Sequence, residues 1–166
     1  MPSGPYLQVD TIMFTNTKSG QKIFRRVCKA LTAKDLEYAE DEENLQIRIK
    51  FEGDDLPIDL QVSVNEESTT IDFLCKLAFE ASATTYSEVL AGLNRINGEL
   101  RFGAFVLIPD TGWLTYRYAY IYADADPTAD LILSLISMVV TTVDERDTEL
   151  KKLIPVNTEE RDLMFG

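Results

Sequence analysis

The sequence predicts an α+β fold in the order helix, three strands, helix, two strands, helix, with an antiparallel sheet and helices packed on it. Three observations carry that reading. Apolar and polar residues alternate with a period of two through the strand segments, as in strands with one buried face. Other segments place their apolar residues at helical spacing. The links among the first three strands are only a few residues of turn chemistry, which suits an antiparallel meander.

The first helix is expected from about Gly20 to Leu31, with Ser19 placed to cap it. Ile23, Phe24, Val27, Cys28 and Leu31 form its apolar stripe. Lys22, Arg25, Arg26 and Lys29 are the densest basic cluster in the chain and lie mostly off that stripe, as a solvated face. An acidic connection, Asp35 to Glu43, holds a short strand near Glu37 to Ala39 and a turn at Asp41 to Asn44. Leu45, Ile47, Ile49 and Phe51 then alternate with Gln46, Arg48 and Lys50 as a strand. Ile58 to Val64 and Ile71 to Leu77 continue the pattern beyond turns at Gly53-Asp54-Asp55 and Glu66-Glu67-Ser68.

The second helix is expected to open near Thr85, with Glu88 completing a capping box, and to end at Asn97-Gly98 with Gly98 left-handed. Leu100 to Leu107 reads as a strand that is apolar on both faces. Pro109 to Gly112 is a turn. Trp113 to Tyr122 is a strand with Leu114, Tyr116, Tyr118, Tyr120 and Tyr122 on one face and Trp113, Thr115, Arg117, Ala119 and Ile121 on the other. Asp126 as cap and Pro127 in the first turn start the third helix, which Pro155 stops. The expected organisation is an N-terminal arm over 1–18, one domain over 19–154 and a polar tail over 155–166.

Bulk properties narrow the function. Acidic residues outnumber basic ones 28 to 16, giving a net charge of −12. Such a field repels a phosphate backbone, so nucleic acid is not an expected partner, and it favours basic partner segments. No apolar run reaches the roughly 18 residues of a membrane span, and no signal peptide is visible, so a cytoplasmic location is expected. Cys28 and Cys75 both lie in apolar patterns and read as free buried thiols.

Several residue groups now resemble a known family when taken in order. Glu37-Tyr38 precedes Ile47-Arg48-Ile49-Lys50-Phe51, Leu56-Pro57-Ile58 and Val62-Ser63-Val64-Asn65-Glu66-Glu67. Glu88-Val89-Leu90, Leu93-Asn94-Arg95-Ile96-Asn97, Leu100-Arg101-Phe102-Gly103-Ala104-Phe105 and Asp110 to Arg117 follow. Together they resemble the YbjN-like family of bacterial proteins, labelled sensory transduction regulators, over about Lys22 to Asp147. The resemblance implies a fold like that of type III secretion chaperones, which are small, acidic, cytoplasmic and usually dimeric. It brings no catalytic residues.

Few motifs compete with that reading. The chain has no histidine, so neither cysteine has an imidazole to activate it. Asp124-Ala125-Asp126-Pro127-Thr128 follows a strand and resembles the nucleophile motif of metal-assisted phosphohydrolases, but a helix cap explains Asp126 more simply. The acids of Asp35 to Glu43 lack the spacing and glycine of a calcium loop and read as a solvated connection. No cofactor or metal site is expected.

The expected function is a non-catalytic protein-binding module, chaperone-like or a regulatory adaptor, and a homodimer. The alternatives are a phosphohydrolase using Asp124 and Asp126, or a binder of a small ligand held between sheet and helix. Phe105, Trp113, Tyr116, Tyr118, Tyr120 and Tyr122 are the candidate partner or dimer surface, because tyrosine and tryptophan combine apolar area with a polar tip. The tyrosine row reads either as core beneath a helix or as an open binding face, with core favoured because sheets normally bury one face. Leu100 to Leu107, centred on Phe105, is the candidate dimer strand.

Overall fold

A computed structural model describes residues 19–122 and 125–154. The expected arm, the expected tail and Asp124 lie outside the described residues. The order is α1 (Ser19–Thr32), β1 (Ala39–Asp41), β2 (Gln46–Glu52), β3 (Pro57–Asn65), β4 (Thr70–Glu80), α2 (Tyr86–Glu99), β5 (Ala104–Leu107), β6 (Trp113–Ile121) and α3 (Ala129–Leu153). The strands form one antiparallel six-stranded sheet in the order β1-β2-β3-β4-β6-β5. The α+β fold expected from the sequence is the fold observed.

The sheet follows from the period-two patterns. Ile47, Ile49, Ile58, Leu60, Val62, Val64, Ile71, Phe73 and Cys75 are all buried, while their neighbours along each strand, Thr70 apart, are partly or fully exposed. Register aligns them in transverse rows: Ile49 lies opposite Leu60, Leu60 opposite Cys75, Cys75 opposite Tyr116 and Tyr116 opposite Phe105. Burying one such side chain contributes on the order of 1.5–3 kcal/mol.

The helices supply the opposing wall. On α1, Ile23, Phe24, Val27 and Leu31 are buried in the same core as the strands, and Cys28 is half-buried beside them. On α3 the inward stripe is Ile132, Leu135, Ile136, Val139, Val143, Asp147 and Leu150. α1 and α3 pack on each other and on the middle of the sheet, whereas α2 packs on β5 at its end. No described helix is long and apolar enough to cross a membrane.

Several boundaries differ from the sequence reading, and each difference has a local cause. The short first strand lies at Ala39–Asp41 rather than Glu37 to Ala39, because its residues pair with Arg48, Ile47 and Gln46. β4 runs on to Glu80 through an irregularity after Lys76, where Ala78 and Phe79 are both buried. Thr85 makes no side-chain cap. Instead Ser82 caps a single 3-10 turn, Ala83–Thr85, that leads into α2.

The end of α2 passes through Asn97 and Gly98 to Glu99, and Gly98 is not left-handed. The following strand is only Ala104–Leu107, because the chain swings through Gly103 at φ 66°. A Cβ at Gly103 would lie 2.2 Å from the Tyr116 hydroxyl, so glycine is needed there for space as well as conformation. α3 starts two residues late. Thr128 is its cap, its hydroxyl accepting from the Leu131 N–H at 3.1 Å, in place of Asp126.

Candidate protein-interaction surface

The expected site residues separate onto two faces. Register puts Tyr116, Tyr118 and Tyr120 on the helix-covered face with Phe73 and Ile71, and Tyr122 follows just past the end of β6. Tyr116, Tyr122 and Phe105 are buried in the chain's own core, and Tyr118 and Tyr120 are half-buried against it. Phe73 and Tyr118 stack with centroids 5.9 Å apart, and Phe105 and Tyr116 at 5.1 Å. The buried Tyr116 hydroxyl donates to the Phe102 carbonyl at 2.9 Å, and burial raises its pKa. The tyrosine row is therefore core and half-core. Phe105, Tyr116 and Tyr122 are not available as a partner surface in this fold, because their rings fill the space between sheet and helices. Only Trp113 of the six lies on the opposite face.

The candidate dimer strand is closed as well as short. Asn97 on α2 reaches over the free edge of β5 and makes two hydrogen bonds to one residue. Its Nδ2 donates to the Phe105 carbonyl at 3.0 Å, and its Oδ1 accepts from the Phe105 N–H at 2.8 Å. A carboxamide thus stands where a neighbouring strand would bond. A dimer formed by strand pairing at Phe105 has no free backbone groups there to use.

Among the described residues no helix covers the other face of the sheet. Its central transverse row is Arg48, Gln61, Leu74, Arg117 and Ala104, and the next is Lys50, Asp59, Lys76, Thr115 and Val106. Arg48, Lys50, Lys76 and Arg117 are exposed, whereas Leu74, Val106 and Trp113 are half-buried among them. The irregularity in β4 sets Trp113 opposite Glu80 and leaves Lys76 free to lie over the indole, its Nζ 3.7 Å from the ring centroid. Ile121, 67% exposed, extends the apolar part toward the far end of β6. Two hollows flank Leu74. One of about 260 Å³ is walled by Arg48, Asp59, Gln61, Lys76 and Trp113. The other, of about 550 Å³, is walled by Ser63, Asp72 and Arg117.

The remaining candidates have other employment. Asp126 pairs with Lys22 and with Arg26, at 3.3 Å for the latter, and Arg26 also donates to the Pro127 carbonyl at 3.0 Å. The hydrogen bond from Lys22 holds the Asp126 carboxyl below its usual range. A carboxyl so held is a poor proton donor, and its contacts tie α1 to the segment entering α3. Two of the supposedly solvated basic residues of α1 are thereby structural, and Arg25 also pairs with Glu42 at 3.2 Å. The Cys75 thiol is pushed up to about 12 by burial and Cys28 to about 11 by burial and the nearby Glu40, so neither is a thiolate near neutrality.

One feature of the covered side has no counterpart in the sequence reading. Asp147 occupies an inward position of α3 and is 4% exposed, and its Oδ2 has no hydrogen-bond partner among the described residues. Burial raises its pKa to about 6, with Asp144, Asp55 and Asp54 adding to the rise and Lys151 opposing it. The helical repeat that places Val143 and Leu150 inside also places Asp147 there, a signal present in the spacing of the sequence.

Comparison with known proteins was made on sequence and on fold. Residues 24–152 match the model of a family described as YbjN, "Putative bacterial sensory transduction regulator". No curated protein matches the sequence. Among solved structures, the crystal structure of YbjN from E. coli is similar with a TM-score of 0.54 at 12% identity, over 71% of this chain and 83% of that one. A chain of the HopA1-SchA chaperone-effector complex is similar with a TM-score of 0.52 at 8% identity, over 76% of this chain and 94% of that one.

Proposed function

This chain belongs to the YbjN family, and from that premise we propose that it is a non-catalytic protein-binding module, a chaperone-like or regulatory adaptor that works in the cytoplasm. The observation that carries the reading is the uncovered face of the six-stranded sheet. Half-buried Leu74, Val106 and Trp113 lie there between long polar side chains, with hollows on either side of Leu74. A surface that interleaves apolar area with charge suits a reversible protein partner. The likeness of the fold to a chain from a chaperone-effector complex supports the same reading. Nothing about Asp126, held by Lys22 and Arg26, favours hydrolysis.

The proposal includes a homodimer. Since the β5 edge is clamped by Asn97 and the β1 edge is a strand of only three residues, the dimer is assigned to apolar surfaces off the edges, notably Leu90 on α2 and Phe102 after it, 51% and 50% exposed. Light scattering should give twice the chain mass, falling to the monomer with Leu90→Glu.

The deciding experiment is a tagged pull-down from the native host's lysate, read by mass spectrometry. One protein recovered near stoichiometry is the expected result. Recovery of no specific protein overturns the adaptor reading.

A further inference from the structure

We propose that the open sheet face docks an extended acidic segment of the partner, with an apolar side chain between two carboxylates, and that Arg48 and Arg117 grip those carboxylates. The proposal rests on the protein-binding reading and names the partner's chemistry and the residues that read it.

In a chain of net charge −12, several of the described cations are held in ion pairs with carboxylates. Lys22, Arg25, Arg26, Arg95, Arg146 and Lys151 are so held. Arg48 and Arg117 are not: no carboxylate lies within 4.0 Å of either among the described residues. Both are exposed on the uncovered face. Asp59 lies opposite Lys50 and Lys76 in the neighbouring row, so the local acids offset the lysines more than the arginines. Asp72, on the same face two residues before Leu74, shares the second hollow with Arg117, and Glu52 and Glu80 lie at strand ends. The middle of the face sets Arg48, Lys50, Lys76 and Arg117 against Asp59 and Asp72, a positive balance on an acidic protein. A guanidinium fork is matched to a carboxylate in both charge and geometry.

Register then sets the spacing. Arg48, Gln61, Leu74 and Arg117 share one transverse row across four adjacent strands. Three strand intervals separate the arginine Cα atoms by about 14 Å. An extended segment rises about 3.4 Å per residue and turns alternate side chains the same way. Two carboxylates four residues apart match that span, and the residue midway between them faces the ground between Gln61 and Leu74. The hollow of about 260 Å³ beside Leu74 and Trp113 has room for a branched aliphatic side chain there. The recognised pattern is acidic, any, aliphatic, any, acidic. A basic segment, which net charge alone would favour, is repelled by this face.

The test is a titration of the full chain with a short fluorescent peptide built on Glu-Ser-Leu-Ser-Glu, against the same peptide with Gln for each Glu. The Glu peptide is expected to bind at least about tenfold more tightly and to weaken as salt rises. The double variant Arg48→Glu/Arg117→Glu should lose about tenfold or more, and Arg48→Gln/Arg117→Gln a smaller part of it. Lys34→Glu/Lys152→Glu makes the same charge change away from the face and should leave binding within about twofold. Circular dichroism checks that each variant is folded.

Equal binding of the two peptides, no binding of either, or an equal loss in the Lys34/Lys152 control overturns the proposal. So does an oligonucleotide that displaces the Glu peptide at lower concentration than the peptide itself binds. A wild-type dimer that Arg48→Glu/Arg117→Glu dissociates assigns the face to a second copy and also overturns it. A lysate partner captured equally by wild type and the double variant removes this inference and leaves the adaptor reading standing. Absence of any captured partner removes the reading beneath it.

Discussion

Phe73 and Leu74 are neighbours in β4, yet they belong to different worlds. Phe73 faces the helices, where Tyr118 stacks on it, and is buried. Leu74 faces solvent between Gln61 and Arg117. Across the sheet the covered face is almost wholly apolar, while the open face sets single apolar side chains among arginine, lysine, aspartate and glutamine. The same strands carry both patterns in alternate residues. One face is selected to hold the chain together, and the other is free to be selected for what it meets.

The largest expected effect tests that separation directly. Phe73→Ala should cost about 3–5 kcal/mol through lost burial and the cavity left behind, whereas Leu74→Ala should cost about 1 kcal/mol or less. Urea unfolding of the two variants gives both numbers, and similar losses would mean that the open face is packed against something in solution.

The edge of the covered side comes next. Asn97→Ala removes both hydrogen bonds to Phe105 and should cost about 2 kcal/mol. It should also raise self-association with concentration, because it bares the β5 edge. A variant that loses stability while its mass in light scattering stays fixed would limit Asn97 to holding α2 in place.

Asp147 is the carboxylate that breaks the apolar character of the covered face. Its folded pKa of about 6 lies above the ordinary 3.8, so the folded state prefers the neutral form. Stability is lost as pH rises from about 4 to 6, and the full penalty is present at pH 7. Asp147→Asn should therefore stabilise by about 1 kcal/mol near pH 7.5, allowing for partial screening, and do little at pH 4. The same change in melting temperature at both pH values would contradict an ionised buried carboxylate.

The smallest effect is expected on the open face, where Arg117→Gln should alter stability by no more than about 0.5 kcal/mol. A larger loss in thermal melts would make Arg117 a structural residue and erase the contrast.

The covered face was legible because alternation is written into each strand, and the α1 stripe likewise. Which face the tyrosine row joins was set by the register of Tyr116 against Cys75 and Phe105, contacts distant in sequence. Two helix ends turn on a polar residue whose partner lies elsewhere in the fold, and a third on Ser82, which caps the turn before Thr85. Asp126 looks like a cap but binds Lys22 and Arg26, about a hundred positions earlier. Asn97 looks like a stop signal but serves the edge of β5. The arginine pair of the open face was invisible, because Arg48 and Arg117 become row mates only once four strands are in register.

The Asn97 clamp also counts ends. A sheet with two free edges can add copies without limit and draw out into a fibre. Among the described residues β1 and β5 are the two edges, and the contact at Phe105 stops one of them. A molecule with one stopped end and one open end can join another only open end to open end, and the pair then has nothing left to extend. One side-chain amide thus sets a ceiling of two on growth by strand addition.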